Sequence, residues 1–144
     1  MQIDGMFNST VALLAKSIDM RAKNHNLIAS NIANAETPNY IPKTLVFEQQ
    51  LQDAFKNRKN GQLTPSAADA RHIPFSSKIP GSAIQSVSGE VRETPTKTPG
   101  KDGNAVELEE EMSKMAENQI KYNASVQMLN KQLELLRSSI KGAL

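Results

Sequence analysis

The chain has 144 residues, enough for one ordinary domain, but its composition does not favour a compact globular one. Hydrophobic residues make up 38% and aromatic residues 4%, and tryptophan is absent, so a large three-dimensional core is not expected. A net charge of +2 excludes a strongly basic nucleic-acid surface, and the absence of cysteine excludes disulfides, thiolate metal sites and cysteine nucleophiles.

The first predicted element is an amphipathic helix over residues from about 6 to 34, with Asp4 or Asn8 as its N-cap. No basic region followed by a long apolar core opens the chain, so a cleaved signal peptide is not expected. No apolar run approaches the length of a membrane span. The apolar stripe advances in steps of three and four and consists of Phe7, Val11, Leu14, Ile18, Ala22, His25, Ala29 and Ile32.

This helix is expected to end in the asparagine-rich stretch "ASNIANAETPNY", residues 29–40. The amides of Asn31 and Asn34 can donate to the last unpaired helix carbonyls or to another chain. Pro38 biases the residue before it away from the helical region and so ends the helix. Pro38 and Asn39 then fit a type II turn, because asparagine tolerates the positive φ that such a turn requires. From the residues alone, the stretch is either an ordinary helix stop or a contact surface.

The middle of the chain, residues 38–99, contains all 7 prolines. It is therefore expected to be largely irregular, and mobile across about 57–101 in the isolated protein. Two short elements are predicted within it. They are a helix in "FEQQLQDAFKN", through Phe47, Leu51, Ala54 and Phe55, and a strand or hairpin in "SAIQSVSGEVRE", through Ile84, Val87 and Val91.

The clearest predicted element is a long helix near the C-terminus. Asn104 and Glu107 have the spacing of a capping box, the acidic residues that follow suit the positive end of the helix dipole, and Gly142 is a C′ stop. A seam with alternating steps of four and three predicts a coiled coil. Apart from Gln119, its members are Leu108, Met112, Met115, Tyr122, Val126, Leu129, Leu133, Leu136 and Ile140.

Neither helix can bury its stripe alone, so the predicted fold is mainly α, with the two helices pairing as an antiparallel coiled coil. The N-terminal helix occupies residues 1–37, the proline-rich middle 38–101 and the coiled-coil helix 102–144. Apolar residues beside the seam would stay exposed in a two-stranded coil. They favour further neighbours, and so an assembly subunit, and they are Ala116, Ile120, Met128 and Leu135.

The stretch "NIANAETPNY" resembles the N-terminal signature of flagellar basal-body rod and hook-type axial proteins, in which Asn-x-Ala-Asn precedes Thr-Pro-Gly-Tyr. Here an asparagine stands where that family has glycine. The C-terminal "DGNAVELEEEMSKMAENQIKYNASVQMLNKQLELLRSSIKG" resembles the corresponding end of the same proteins, and the short length is most similar to the proximal rod members. The resemblance covers residues 10–47 and 102–142. It implies an assembly motif of Asn31, Ala33, Asn34, Thr37, Pro38, Asn39 and Tyr40.

The function implied by this resemblance is structural. Such a protein is exported by the flagellar type III apparatus without a cleaved signal and stacks in the periplasm into the rod, which transmits torque from the rotor ring to the hook. The implied partners are other rod proteins, the rotor (MS) ring protein and the rod adaptor protein, with a monomeric or weakly associated state before assembly. Cofactors, nucleic acid and small-molecule substrates are not expected.

An enzyme is not favoured by the residues. His25 lies on the apolar stripe as a packed side chain, and His72 with Asp69 reads as solvated loop. The Glu107–Glu111 cluster is accounted for by the helix dipole, and no nucleophile–base arrangement or phosphate loop is present in the sequence. The alternatives are another axial subunit, such as the second proximal rod protein, or a secreted coiled-coil interaction protein such as a chaperone. A chaperone has no use for the asparagine–Thr-Pro signature.

Overall fold

The computed structural model describes residues 4–59, 82–94 and 106–142. The structure does not describe the side chains of Phe7 and Asn8. The His72 region and most of the 57–101 stretch predicted to be mobile also lie outside the described residues. The mainly α fold is confirmed. Its elements are helices α1 (Asp4–Ala33), α2 (Glu48–Lys59), α3 (Ser82–Gln85) and α4 (Leu108–Lys141), and strands β1 (Lys43–Val46) and β2 (Glu90–Glu93).

The two long helices, α1 and α4, pair in antiparallel orientation, as the sequence predicts. Asn31 contacts Glu111, and one heptad earlier on α1, Asn24 contacts Asn118. The residue numbers fall along one helix while they rise along the other, so the helices run in opposite directions. With 30 and 34 residues, the helices are about 45 and 51 Å long.

The start of α4 differs from the prediction. The helix begins at Leu108, with Glu107 as an extended N-cap residue that makes no side-chain capping hydrogen bond. The expected Asn104 cap is therefore wrong, because the N-cap position is Glu107, three residues later. Three glutamates in the first turn stabilise that helix end through the dipole instead. The helix does end at Gly142, but this glycine has φ −81° and not the left-handed conformation of a C′ stop.

The strands form a two-stranded antiparallel sheet in which Lys43 pairs with Glu93 and Val46 with Glu90. The strand predicted in "SAIQSVSGEVRE" is confirmed as β2, and its antiparallel partner is β1. The segment's first residues form α3. Gly89, just before β2, has φ +71°, and a Cβ there would lie 2.9 Å from Leu45 Cδ1. The close approach of β2 to Leu45 therefore requires glycine.

In the part of the chain that the structure describes, two small apolar clusters lie on the side of α1 that faces the sheet and the short helices. One contains Met20, Leu45 and Phe47, with Leu27 against it. The other joins residues of α1, α2 and α3, and the predicted helix α2 is confirmed. Its members are Leu51, Ile84 and Val87, with Leu13, Ala54 and Phe55 packed against them.

Candidate functional site

The C-terminal end of α1 is closed by its own side chains. The Asn34 amide donates from Nδ2 to the Ser30 carbonyl at 2.7 Å, and the Thr37 hydroxyl donates to Asn34 Oδ1 at 3.3 Å. The Ser30 carbonyl, which also accepts from the Asn34 backbone N–H at 3.1 Å, lies in the last turn of the helix, so the amide has the first of the two roles that the sequence allowed.

A β-turn over residues 37–40 follows the helix. The Tyr40 N–H donates to the Thr37 carbonyl at 3.3 Å, and Asn39, the third residue of the turn, has φ +61°. A positive φ at that position after Pro38 is the geometry of a type II turn, so the predicted turn is confirmed. The turn directs the chain back along α1 towards β1.

Asn31 is the residue on which this end of the molecule converges. Its side chain is 1% exposed, and Nδ2 donates to the Lys43 carbonyl at 2.9 Å and to Glu111 Oε2 at 2.8 Å. Oδ1 accepts from the Lys43 N–H at 3.0 Å and from the Tyr40 hydroxyl at 3.2 Å. One amide with all its hydrogen-bonding capacity used thus joins α1, the turn, β1 and α4.

Glu111 brings α4 into this network as a buried carboxylate, 3% exposed. Besides Asn31, it accepts from Lys114 Nζ at 2.8 Å, and Lys114 also pairs with Glu110 at 2.8 Å. Burial alone would lower the pKa of Lys114, but hydrogen bonds to the two glutamates raise it above its ordinary value. A buried carboxylate needs such partners, because without them its desolvation is strongly unfavourable.

A second polar contact lies one heptad away between the same two helices. Asn118 is 4% exposed, and its Nδ2 donates to the Arg21 carbonyl at 2.9 Å. Asn24 Nδ2 lies 3.4 Å from Asn118 Oδ1. The interface between α1 and α4 therefore contains buried amides and a carboxylate where a simple coiled coil would place apolar side chains.

An ionic cluster beside this interface connects the start of α2 to both long helices. The Arg21 guanidinium lies 5.5 Å from the centre of the Phe47 ring and 3.2 Å from Glu48 Oε1. Lys121 pairs with the same Glu48 oxygen at 3.6 Å and with Glu117 at 2.6 Å. The hydrogen bond from Lys121 lowers the pKa of the exposed Glu117 carboxyl. The cluster borders an open groove of about 210 Å³ between α1, β1 and α4.

The predicted seam residues lie in two different environments. On α1, the residues Val11, Leu14, Ile18, His25 and Ile32 are half-buried, as are Met115, Tyr122, Val126, Leu129 and Leu136 on α4. The other members of the α4 seam are exposed: Leu108 by 46%, Met112 by 58%, Leu133 by 45% and Ile140 by 68%. The row of α4 that faces α1 thus includes Glu111 and Asn118. Each of these residues lies one position before a member of the predicted seam.

Sequence reasoning missed these interhelical polar residues. Glu111 was assigned to the helix dipole, and Asn24 and Asn118 were not singled out. A signal was available, since Asn24 and Asn31 are seven residues apart on one helix and Glu111 and Asn118 seven apart on the other. Polar residues that recur at heptad spacing within a predicted coiled coil indicate facing polar contacts.

Within residues 4–59, 82–94 and 106–142, no three histidine, cysteine or acidic side chains are grouped so that they could hold a metal ion. None of the helices in this described part is both long and apolar enough to cross a membrane.

An antiparallel helix pair that ends in an Asn–Thr-Pro turn and carries exposed apolar side chains fits an axial structural subunit of the bacterial flagellum, the class whose signature the turn resembles. No model of a known protein family matches the chain. The flagellar basal body rod protein FlgB of Cereibacter sphaeroides is 33% identical over 94% of this chain and 97% of its own length. The FlgB protein of Bacillus subtilis (strain 168) is 28% identical over 95% of this chain and 97% of its own length. That of Salmonella typhimurium is 26% identical over 88% of this chain and 89% of its own length.

The chain belongs to the FlgB family of flagellar basal body rod proteins. It is a structural subunit of the rod and not an enzyme.

Proposed function

We propose that this chain forms part of the proximal rod, stacks there with copies of itself and other rod proteins, and helps to transmit torque from the rotor ring to the hook. The observation that supports stacking is the exposed apolar surface of α4. Met112 is 58% exposed, Ile120 70%, Met128 58% and Ile140 68%. A soluble monomer has no use for so many large apolar side chains along one helix, whereas a subunit buries them against its neighbours.

These side chains do not lie on a single line. Met112 and Ile140 belong to the row next to the α1 interface, while Ile120 and Met128 lie eight residues apart on other sides of α4. Surface of this kind on several sides supports more than one neighbour per subunit. The exposed Pro38 and Asn39 at the end of α1 are accessible to a further subunit stacked along the helix axis.

The proposal extends to organisation and partners. Residues 1–37 and 102–144 form the inner, helix-paired domain of the assembled rod, and residues 38–101 form the proline-rich segment between its two helices. The partners are other rod proteins, the rotor ring protein and the rod adaptor protein. The chain reaches the periplasm through the type III export apparatus without a cleaved signal, and it is monomeric or weakly associated until it assembles.

The proposal is tested by Leu133→Asp in a bacterium that lacks its own copy of the gene. Leu133 is 45% exposed in the isolated chain, so the new carboxylate stays hydrated and the monomer should lose no more than about 1 kcal/mol, part of one leucine's transfer free energy. In an assembled rod, the same carboxylate would be buried without a partner, which is strongly unfavourable. We expect the variant to be exported but to form no rods and support no swimming.

The matched control is Asn130→Asp, which adds the same charge at an exposed polar position three residues away. It should swim normally. Motility in soft agar, basal bodies purified for electron microscopy and the amount of exported subunit are the three measurements. Normal rods and swimming with Leu133→Asp would contradict the proposal. Leu129→Asp should abolish assembly too, but Leu129 is half-buried, so this change also weakens the monomer.

A further inference from the structure

The rotation of α4 about its axis is not the one that would bury the most apolar surface. Its row facing α1 includes Glu111, 3% exposed, and Asn118, 4% exposed. The adjacent row contains Met112, Leu133 and Ile140, which are 58%, 45% and 68% exposed. A rotation of α4 by about 50°, half of the angle between successive residues, would turn the apolar row towards α1 in place of the polar one. Hydrophobic burial alone therefore does not explain which side of α4 contacts α1.

Two polar contacts hold α4 in this orientation. Asn31 donates to Glu111 at 2.8 Å, and Asn24 and Asn118 are joined at 3.4 Å, with Asn118 also bonded to the Arg21 carbonyl at 2.9 Å. If α4 turned towards its apolar row, Asn31 would lose its bond to the carboxylate. A buried polar group that loses its partner costs about 1–3 kcal/mol, which opposes such a turn.

The same contacts distinguish one register from the next. A slide of α4 by seven residues keeps apolar residues opposite apolar residues, so the apolar part of the seam barely resists it. The polar residues do resist it. In one direction Asn31 would lie opposite Asn118, and Glu111 would move past the end of α1 and lose its amide donor. One buried asparagine is enough to fix register in other coiled coils, and here two contacts at heptad spacing act together.

We propose that four polar residues determine specificity within the helix pair: they fix the register between α1 and α4 and the side of α4 that contacts α1. These residues are Asn24, Asn31, Glu111 and Asn118. As a consequence, they keep the apolar row of Met112, Leu133 and Ile140 on the outside of the helix pair. This inference concerns the isolated chain and does not depend on where the chain lies in the rod.

The test moves the polar pattern on α4 by one heptad and asks whether the register follows. The variant carries Glu111→Leu, Asn118→Glu and Ser125→Asn, which places the carboxylate at position 118 and the amide at position 125. The contacts of Asn31 and Asn24 would then be restored by a slide of seven residues. Because the chain has no cysteine, engineered cysteine pairs report register without background.

The reporters are Thr10→Cys combined with Gln132→Cys or with Ser139→Cys. Continuing the observed register along both helices places Thr10 opposite Gln132, and a slide by one heptad places it opposite Ser139. In the natural background, disulfide formation under mild oxidation should favour the pair 10/132. In the moved-pattern variant, the preference should reverse to 10/139. Persistence of the 10/132 preference would overturn the proposal.

The control places the same pattern on the outer face of α4. Glu109→Leu and Ala116→Glu, together with the existing Asn123, give the identical spacing at three exposed positions. This control should keep the natural preference for 10/132. If the control shifts the register as much as the moved pattern does, the register depends on the composition of α4 and not on its polar contacts with α1, and the proposal fails.

Two single substitutions keep the test decisive if the triple variant does not fold. Glu111→Gln retains an oxygen that can accept from Asn31 and should keep the 10/132 preference. Glu111→Leu should lower the ratio of 10/132 to 10/139 cross-links by roughly tenfold, the factor expected when a hydrogen bond to a charged group is lost. An unchanged ratio with Glu111→Leu would overturn the proposal, and a loss with Glu111→Gln equal to that with Glu111→Leu would do the same.

Discussion

Replacing Asn31 by alanine should destabilise the isolated protein much more than replacing Asn34, three residues later in the same signature. Asn31 is 1% exposed and makes hydrogen bonds to Lys43, Tyr40 and Glu111. Asn34 donates to one carbonyl of its own helix and accepts from Thr37. The two asparagines are chemically identical, so the difference measures what their surroundings contribute.

The magnitude follows from the number and kind of contacts. A neutral hydrogen bond contributes about 0.5–1.5 kcal/mol and one to a charged group about 1.5–3 kcal/mol. Asn31 makes three of the first kind and one of the second, and water entering the space left by the side chain would restore part of the loss. We expect Asn31→Ala to cost roughly 3–5 kcal/mol and Asn34→Ala about 1 kcal/mol. Against a total of about 5–15 kcal/mol for an ordinary domain, the first loss is large.

Urea unfolding followed by far-ultraviolet circular dichroism measures both free energies of unfolding. Tyr40→Phe is a useful third variant, because it removes only the hydroxyl that donates to Asn31 and should cost about 1 kcal/mol. A loss for Asn31→Ala below about 1 kcal/mol, or one equal to that of Asn34→Ala, would refute the role assigned to Asn31 as the junction of four elements.

Three further outcomes follow from backbone and charge geometry. Gly89→Ala should cost about 1–3 kcal/mol, since Gly89 has φ +71° and the new Cβ would meet Leu45 Cδ1 at 2.9 Å; an unchanged midpoint in urea would contradict this. Asn39→Gly should be tolerated and Asn39→Val should cost about 1–2 kcal/mol, because Asn39 has φ +61°; thermal melting that ranks them otherwise would show that the turn is not left-handed. Lys121→Met should raise the pKa of Glu117 towards its ordinary value in an NMR titration, since the Lys121 hydrogen bond lowers it. The stabilisation from that pair is present above the ordinary carboxyl pKa and is lost as the pH falls through the lowered one, so a Glu117 pKa that does not respond to the substitution would exclude the pairing.

Features that depend on neighbouring residues were predictable from the sequence. The end of α1, its amide cap by Asn34 and the turn through Asn39 follow from proline sterics and from the tolerance of asparagine for positive φ. The helix α2 and the strand β2 also follow from short apolar patterns. The start of α4 was an exception, because a capping box from Asn104 to Glu107 was expected and the helix begins instead after Glu107, an N-cap residue without a side-chain capping hydrogen bond.

Features that join distant parts of the chain were not predictable in the same way. The partner of β2 is β1, and the partner of Asn31 is a glutamate 80 residues away. Periodicity showed that α4 has a seam, but the half-buried residues of that seam can face α1 together with either of two neighbouring rows, that of Glu111 and Asn118 or that of Met112, Leu133 and Ile140. The choice between the rows depends on the amides that α1 presents to Glu111 and Asn118, which a hydrophobic pattern does not report.

Similarly, Met20 and Leu13 lie outside the predicted stripe of α1 yet pack in its core clusters. The prediction assumed that α1 has one partner, and a helix with a single partner needs a single stripe. In the structure α1 packs against α4 on one side and against β1, α2 and α3 on another, so its apolar residues are spread over a wider arc.

A subnanometre map of basal bodies assembled with this chain tests the central claim most directly. We expect antiparallel α1–α4 pairs in the segment of the rod that adjoins the rotor ring, with the row of Met112, Leu133 and Ile140 covered by neighbouring subunits. Rods that lack the chain, or that contain it with this row facing solvent, would contradict the account.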